Sequence, residues 1–267
     1  MLSGATRLVG IVGDPVVHSL SPRMHNAAFE ALGLDWAYVP LPVAGANLRA
    51  GVHGLVVLGF AGANVTIPHK TAVLPCCDEV DDVARRAGSV NTLVVVDGRV
   101  LGSSTDGLGV MRAVDPAGAS VLVIGAGGAA RAVASALVDG GAASLTVVAR
   151  RPEAAEELAA HLRGLGTAAS IETSSWPPEG ARSTLVLNTT PLKEQLVLEP
   201  RAGQQVVDLA YLPDGRPTAL VEAARVAGCE LVVDGLDVLV GQGAASFELW
   251  TGVPAPVEVM RAAVRAA

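Results

Sequence analysis

One segment, SVLVIGAGGAARAVASALVDGGAASLTVVARR at residues 120–151, restricts the possible folds of this chain more than any other. It has the pattern of a buried strand, a glycine turn, an alanine-rich helix and a second strand. Because strands joined by a helix lie parallel, the segment predicts a parallel sheet flanked by helices. Further strand-like runs at 168–172, 183–190, 204–211 and 229–235 alternate with predicted helices at 153–165 and 218–227.

The glycine turn has the spacing of a dinucleotide-binding loop. Gly125 allows a tight turn, Gly127 lets the backbone approach a pyrophosphate, and Ala130 permits close packing of the helix on the strand. The helix N-terminus supplies free backbone N–H groups and a partial positive charge. A turn that serves packing alone is the alternative, but the strand–turn–helix context favours a dinucleotide. The residues predicted to line this loop are Gly125, Ala126, Gly127, Gly128 and Ala129.

The strand after this helix ends in Arg150 and Arg151. A site that prefers NAD usually has Asp or Glu here, which binds the ribose hydroxyls. An arginine pair instead matches a 2′-phosphate in charge and in fork geometry. The pair therefore predicts NADP as the cofactor, and two solvated surface arginines are the alternative.

The first 106 residues follow a different pattern. A strand is predicted at 7–12, followed by a helix with Ser21 as its N-cap and Pro22 at its first position. The Asp97-Gly98 pair indicates a hairpin within residues 89–105. The remaining predictions are strands at 36–42 and 62–67 and helices at 46–58, 70–76, 79–86 and in the last thirty or so residues.

Polar residues follow a predicted strand in NVTIPHK, which places Thr66, His69 and Lys70 where α/β proteins bind ligands. A lysine there can donate a proton to an alcohol oxygen. Asn91 could hold a hydroxyl, and Asp106 could fix the position of a lysine beside it. The alternative for each is an ordinary loop residue, and for His69 and Asn91 taken singly that alternative is favoured.

Composition excludes several classes of protein. The net charge of −7, the absence of a basic run and the 3% aromatic content argue against nucleic acid and anionic membranes as partners. The three cysteines form no CxxC pair, and His18 and His25 have no accompanying carboxylate pattern, so we expect no metal site. Free thiols, and an N-terminus without the pattern of a signal peptide, predict a cytoplasmic protein.

Eight stretches together resemble the shikimate dehydrogenase family. They are GDPVVHSLSPRMHNAAF, NVTIPHK, AGSVNTLV, STDGLG, IGAGGAARA, NTTP, DLAYLP and GQGAASFELWTG, which occur in the family's order along nearly the whole chain. The resemblance implies an α/β substrate-binding domain of residues 1–106 that is completed by C-terminal helices in 236–267. Residues 107–235 would form a Rossmann NADP-binding domain. The implied reaction is the reversible NADPH-dependent reduction of 3-dehydroshikimate to shikimate, in aromatic amino-acid biosynthesis.

The resemblance also implies roles for individual residues. Lys70 and Asp106 match the catalytic pair, and Ser19 and Ser21 match the serines that bind the substrate carboxylate. The other matches to substrate-binding residues are Thr66, Asn91, Tyr211 and Gln242. The matches to cofactor-binding residues outside the glycine turn are Arg150, Arg151, Asn188, Thr189 and Gly235. Dimers occur in the family, although no pattern in the sequence identifies a dimer interface.

The chain departs from the family pattern in three places. Ala149-Arg150-Arg151 replaces the usual Asn-Arg-Thr, so Arg151 is a candidate to replace the contact of the missing asparagine. LKEQ at 192–195 stands where Gly-Met is common, which leaves the shape of this loop open. SSTDG replaces the frequent NTDG and leaves Asp106 intact.

Three alternative functions stay open at this point. Oxidation of quinate with NAD is one, although relatives that accept quinate tend to have threonine in place of Ser21 and an acidic residue near Arg150. An aminoshikimate-type enzyme is another. A non-catalytic NADP sensor on the same fold is the third. The presence of both Lys70 and Asp106 argues against the sensor.

Overall fold

The fold is mixed α/β, as predicted, and the computed structural model describes residues 2–180 and 182–266. The strands are β1 (Arg7–Gly13), β2 (Trp36–Pro42), β3 (Gly62–Val65), β4 (Glu79–Val80), β5 (Thr92–Val96), β6 (Arg99–Ser103), β7 (Ser120–Ile124), β8 (Ser144–Val148), β9 (Ser170–Ser174), β10 (Leu185–Asn188), β11 (Gln205–Asp208) and β12 (Leu231–Val233). The helices are α1 (Ser21–Ala31), α2 (Leu48–Val57), α3 (Asp82–Ala87), α4 (Asp106–Met111), α5 (Gly128–Asp139), α6 (Pro152–Arg163), α7 (Ala219–Val226), α8 (Gly235–Thr251) and α9 (Val257–Arg265).

The chain divides into two compact units. The first consists of Met1–Asp106 together with Val240–Ala267, and the second of Gly107–Leu239. The sequence placed the second division after Gly235, whereas the structure places it after Leu239. The physical reason is that the side chain of Val238 packs in the hydrophobic core of the second unit.

A six-stranded sheet of order β2-β1-β3-β5-β6-β4 forms the first unit. β1 lies parallel to β2 and β3, whereas β5 runs antiparallel to β3 and β6. Helix α9 and the part of α8 from Val240 onward belong to this unit. Trp250 of α8 donates from Nε1 to the carbonyl of Leu93, at 2.9 Å. A Cβ at Gly62 would lie 2.5 Å from that indole nitrogen, so glycine allows the indole ring to pack against the sheet.

The second unit is the predicted parallel sheet, of order β12-β11-β10-β7-β8-β9. Every neighbouring pair of its strands is parallel. The register pairs Ile124 of β7 with Val148 of β8 and with Asn188 of β10. The turns that follow these three strands therefore start at one edge of the sheet. The strand and helix predictions in this half of the chain are confirmed to within a few residues.

Three local predictions in the first unit differ from the structure. Residues 70–76 hold only a short 3-10 turn, Leu74–Cys76. The helix predicted at 79–86 is preceded by strand β4 and begins later, because the Asp81 side chain caps it by accepting from the backbone N–H of Ala84, at 2.7 Å. Helix α1 already begins at Ser21, so Ser21 is not its N-cap. The hairpin is confirmed, with Asp97 and Gly98 at φ values of 51° and 74°.

No helix among residues 2–180 and 182–266 is both long enough and apolar enough to cross a membrane.

Candidate active site

Lys70 and Asp106 form a nearly buried ion pair in the first unit. Lys70 follows the turn after β3, and Asp106 is the first residue of α4. The Lys70 Nζ lies 2.5 Å from Asp106 Oδ2, and the two side chains are 14% and 9% exposed. The main chain of Lys70 is held as well, because its carbonyl accepts from the N–H of Val90 at 2.8 Å. The ammonium group therefore has a defined position in a site largely screened from water.

Asn91 orients the other side of this carboxylate. Its Nδ2 donates to Asp106 Oδ1 at 2.9 Å and to Gln242 Oε1 of helix α8 at 3.2 Å. Its Oδ1 accepts from the backbone N–H of Thr105 at 2.7 Å, which determines which end of the amide faces Asp106. Asn91 is only 2% exposed. The structure thus brings together four predicted site residues, Lys70, Asp106, Asn91 and Gln242, and the loop-residue alternative for Asn91 is disfavoured.

A cluster of buried hydroxyl and amide groups surrounds Asn91, and the sequence analysis missed it. Asn64 of β3, Thr92 of β5, Thr105 and Ser246 of α8 are joined by hydrogen bonds of 2.8–3.4 Å. Tyr38 extends the cluster by donating from its hydroxyl to Asn64 Oδ1 at 2.8 Å. The signal that could have found these residues is the occurrence of Asn and Thr inside otherwise apolar strands, since buried polar groups need partners.

The serines of the first loop lie at the N-terminus of α1. Ser19 Oγ accepts from the backbone N–H of Ser21 at 3.2 Å, which satisfies a group that the helix itself leaves free. Thr66 reaches the end of β1, where its N–H donates to the carbonyl of Val12 at 2.9 Å. A Cβ at Gly13 would lie 2.4 Å from the Thr66 methyl group, so glycine permits this close approach.

The two buried histidines of the first unit have structural environments. His69 is 1% exposed, and its Nε2 lies 2.6 Å from the carbonyl oxygen of Val43, which fits the structural alternative for this residue. His25 lies on α1, stacked on Tyr38 with ring centroids 4.5 Å apart. Burial lowers the pKa of His25 to about 3. Among the residues described, no group of three or more His, Cys, Asp or Glu could hold a metal ion.

The glycine turn of the second unit has the geometry of a phosphate cradle. Gly125 adopts a φ of +112°, and a Cβ there would lie 2.3 Å from Thr189 Oγ1. Thr189 in turn donates to the carbonyl of Ile124 at 2.9 Å, so the two turns pack directly on each other. Gly127 is the N-cap of α5 and provides no side-chain cap, and a Cβ there would meet no atom within 4 Å. Free N–H groups with open space above them fit a pyrophosphate.

Arg150 and Arg151 follow β8 at the same edge of the sheet, and both are exposed. Neither guanidinium has a hydrogen bond or an ion pair within the part of the chain that the structure describes. Two cations without protein partners, beside a turn that accommodates phosphate, fit a 2′-phosphate.

A buried carboxylate organises the turn that carries Asn188. Asp208 accepts from Asn188 Nδ2 at 2.8 Å, from the N–H of Ala210 at 3.0 Å and from Thr218 Oγ1 at 2.5 Å. Burial raises the pKa of Asp208. Asn188 Oδ1 accepts from the N–H of Thr190 at 3.1 Å. The amide of Asn188 is thus engaged within the protein, and its contact with a cofactor stays a prediction.

Two further predicted residues lie near this edge of the second unit. The ring of Tyr211 is approached by Lys193 of the unusual LKEQ loop, with Nζ 5.6 Å from the ring centroid. A Cβ at Gly235 would lie 2.2 Å from the carbonyl oxygen of Ala210. Glycine is therefore required for packing at 235, whatever its role toward a cofactor.

The parallel sheet with its glycine turn, and the Lys–Asp pair in its buried polar cluster, define the class of dinucleotide-dependent oxidoreductases. Three family models match the chain: "shikimate dehydrogenase substrate binding domain" at residues 11–93, "shikimate / quinate 5-dehydrogenase" at 110–209, and "shikimate 5′-dehydrogenase C-terminal domain" at 235–265. The chain belongs to the shikimate dehydrogenase family.

Known relatives agree with this assignment. The chain is 46% identical over 283 residues to the shikimate dehydrogenase (NADP+) of Moorella thermoacetica, an alignment that covers 100% of this chain and 95% of the relative. The shikimate 5-dehydrogenase of Thermus thermophilus, solved with NADP(H) and shikimate, matches with a TM-score of 0.83 and 34% identity over 98% of this chain and 99% of that one. The quinate dehydrogenase of Corynebacterium glutamicum, solved with NAD, matches with a TM-score of 0.87 and 31% identity over 98% and 99%.

Proposed function

We propose that this chain is an NADP-dependent shikimate dehydrogenase, which reversibly reduces 3-dehydroshikimate to shikimate in aromatic amino-acid biosynthesis. The observation that carries the proposal is the Lys70–Asp106 pair, 2.5 Å apart and held by Asn91, in a chain whose relatives bear this name. Reduction of a ketone to an alcohol needs a hydride at carbon and a proton at oxygen. Bound NADPH supplies the hydride, to the C3 carbonyl carbon of the substrate.

The protein supplies the proton and the orientation. Lys70 donates a proton to the C3 oxygen as negative charge develops there, and it takes the proton back in the reverse reaction. Asp106 holds the ammonium group in place through Oδ2, and Asn91 keeps Asp106 from rotating by binding Oδ1. Because the pair is nearly buried, its electrostatic effect on the developing charge is stronger than it would be in water.

The remaining residues of the first unit bind the substrate. We assign the substrate carboxylate to Ser19 and Ser21, whose position at the N-terminus of α1 favours an anion. Thr66, Asn91 and Gln242 hold the ring hydroxyls and assist with the carboxylate, as the family resemblance implies. Tyr211 of the second unit is assigned to the lining of the substrate site on the same basis.

The second unit binds NADP in this proposal. The N–H groups of the turn Gly125–Ala129 receive the pyrophosphate, and Arg150 and Arg151 bind the 2′-phosphate. Asn188, Thr189 and Gly235 complete the site, with Asn188 acting through the turn that its side chain holds. The protein is further proposed to act in the cytoplasm, consistent with its three free cysteines. A homodimer is proposed from the family resemblance, and light scattering of the purified protein tests it.

Initial rates test the function most directly, with four pairings: shikimate or quinate as the alcohol, and NADP+ or NAD+ as the oxidant. We expect kcat/KM to be highest for shikimate with NADP+, by tenfold or more, which corresponds to about 1.4 kcal/mol of transition-state discrimination. The quinate dehydrogenase relative makes quinate with NAD+ the second candidate. A preference for that pairing would overturn the proposal. Absence of turnover with every pairing, with NADP binding retained in a titration, would instead favour the sensor.

A further inference from the structure

Ser246 lies one helical turn after Gln242 on α8, and it is fully buried. Its Oγ is within hydrogen-bonding distance of four groups from different parts of the first unit. They are Asn64 Nδ2 at 2.9 Å, Thr92 Oγ1 at 2.8 Å, Thr105 Oγ1 at 3.2 Å and the carbonyl oxygen of Gln242 at 3.1 Å. A single hydroxyl thus joins the C-terminal helix to β3, to β5 and to the residue that precedes Asp106.

The donors and acceptors of this cluster depend on that hydroxyl. The Asn64 Nδ2 group can only donate, so Ser246 Oγ accepts there and has one proton left for a neighbouring oxygen. Thr92 and Thr105 both have their hydroxyls within reach of Asn91 Oδ1, at 3.0 and 3.1 Å. With Ser246 as their neighbour, these hydroxyls can direct their protons to Asn91 Oδ1. The Nδ2 of Asn91, which also lies 2.9 Å from Thr105 Oγ1, then remains turned to Asp106 and Gln242.

Loss of the Ser246 hydroxyl would leave buried polar groups with fewer partners. Thr92 and Thr105 are both 0% exposed, so water cannot replace the missing bond without a rearrangement. Such a rearrangement moves the groups that orient Asn91, and through Asn91 it moves Asp106. Loss of the Ser246 hydroxyl also removes its contact with the carbonyl oxygen of Gln242.

We propose that Ser246 is a positioning residue of the active site, which aligns Asn91 with Asp106 and sets the place of Gln242. It does so through hydrogen bonds and without touching the substrate. The inference rests on the proposed function, because it concerns the same reaction.

Two variants and one control test this role. Ser246→Ala removes the hydroxyl, and Ser246→Cys keeps most of the volume while providing only a weak hydrogen-bonding group. Ser135→Ala is the matched control, since Ser135 is also a buried helical serine, and its hydroxyl has no hydrogen-bond partner within the described residues. Each protein is assayed for shikimate oxidation at a temperature well below its Tm, and kcat and both KM values are determined.

We expect both Ser246 variants to lower kcat/KM for shikimate by about tenfold and to leave KM for NADP+ within about twofold of wild type. Ser135→Ala should keep all three constants within about twofold. A lower Tm with unchanged kinetic constants in the Ser246 variants would overturn the inference, because it would make the role purely structural. Should Ser246→Ala fail to fold, the cysteine variant decides. Absence of turnover by the wild type would overturn the proposed function. If the wild type is active and only the expected effect of the Ser246 variants is missing, the inference alone fails.

Discussion

Lowering the pH should destabilise the first unit through one residue, His25. The imidazole is fully buried, stacked on Tyr38 and 5.3 Å between ring centroids from Trp250. Neither ring nitrogen has a hydrogen-bond partner among the residues described. Because burial disfavours a positive charge on the ring, the pKa of His25 is lowered from 6.5 to about 3.

The size of the effect follows from proton linkage. Above the unfolded pKa of 6.5 the histidine is neutral in both states, and the folded protein has its full stability. As the pH falls below 6.5 the unfolded chain binds a proton that the folded chain does not, until the pH approaches 3. Each pH unit within this window costs about 1.4 kcal/mol, so the free energy of unfolding should decrease by about 2 kcal/mol at pH 5.

Urea unfolding at about pH 7.5 and about pH 5 measures this decrease, with tryptophan fluorescence as the probe. All proteins carry Trp176→Phe, so that the signal comes from Trp36 and Trp250 of the first unit. His25→Phe removes the titrating group and keeps an aromatic ring among aromatic neighbours. It should lose about 2 kcal/mol less stability than the wild type between the two pH values. His53→Gln removes an exposed histidine and should retain the wild-type loss.

An equal loss in wild type and His25→Phe would refute the reasoning. It would mean that His25 binds a proton in the folded protein at pH 5.

Three substitutions test the rest of the site. Lys70→Met removes the proton donor and should lower kcat roughly 10²–10⁴-fold with little change in KM for NADP+, measured by initial rates; near-native kcat would exclude the assigned role. Arg150→Ala should raise KM for NADP+ by about tenfold and leave KM for NAD+ unchanged, since only NADP+ carries the 2′-phosphate; equal effects on both cofactors would contradict this. Gly125→Ala forces a side chain into φ +112° and against Thr189, so thermal unfolding should show a stability loss of about 1–3 kcal/mol. An unchanged Tm would mean that the turn can relax.

The second unit could be predicted from the sequence almost entirely. Its strands are short apolar runs and its helices lie between them, so local pattern alone indicates a parallel sheet. The glycine turn could also be predicted from the sequence, because the need for glycine at 125 comes from backbone geometry within a few residues. The clash that a Cβ at position 125 would make with Thr189 could not be predicted, since that contact joins turns more than sixty residues apart along the chain.

The first unit shows where local pattern fails. The sequence predicted a helix over 70–76, but this segment carries Lys70 and forms only a short 3-10 turn. Strand β4 was missed because two residues are too few for a periodic signal, and the strand exists by pairing with β6. The second division was predicted after Gly235, whereas the compact units divide after Leu239, because the core of the second unit receives Val238.

The sequence by itself determined the family, the parallel sheet, the nucleotide turn and the candidates Lys70 and Asp106. The turn and the two candidates lie in short motifs, and the sheet and the family follow from the order of such motifs along the chain. Only the tertiary structure decided that Lys70 meets Asp106 at 2.5 Å, that Asn91 is a buried partner of the pair, and that Ser246 joins the cluster from the far end of the chain. Hydrogen-bond networks depend on distances between residues remote in sequence. Those distances are set only when the sheet and the C-terminal helices pack together.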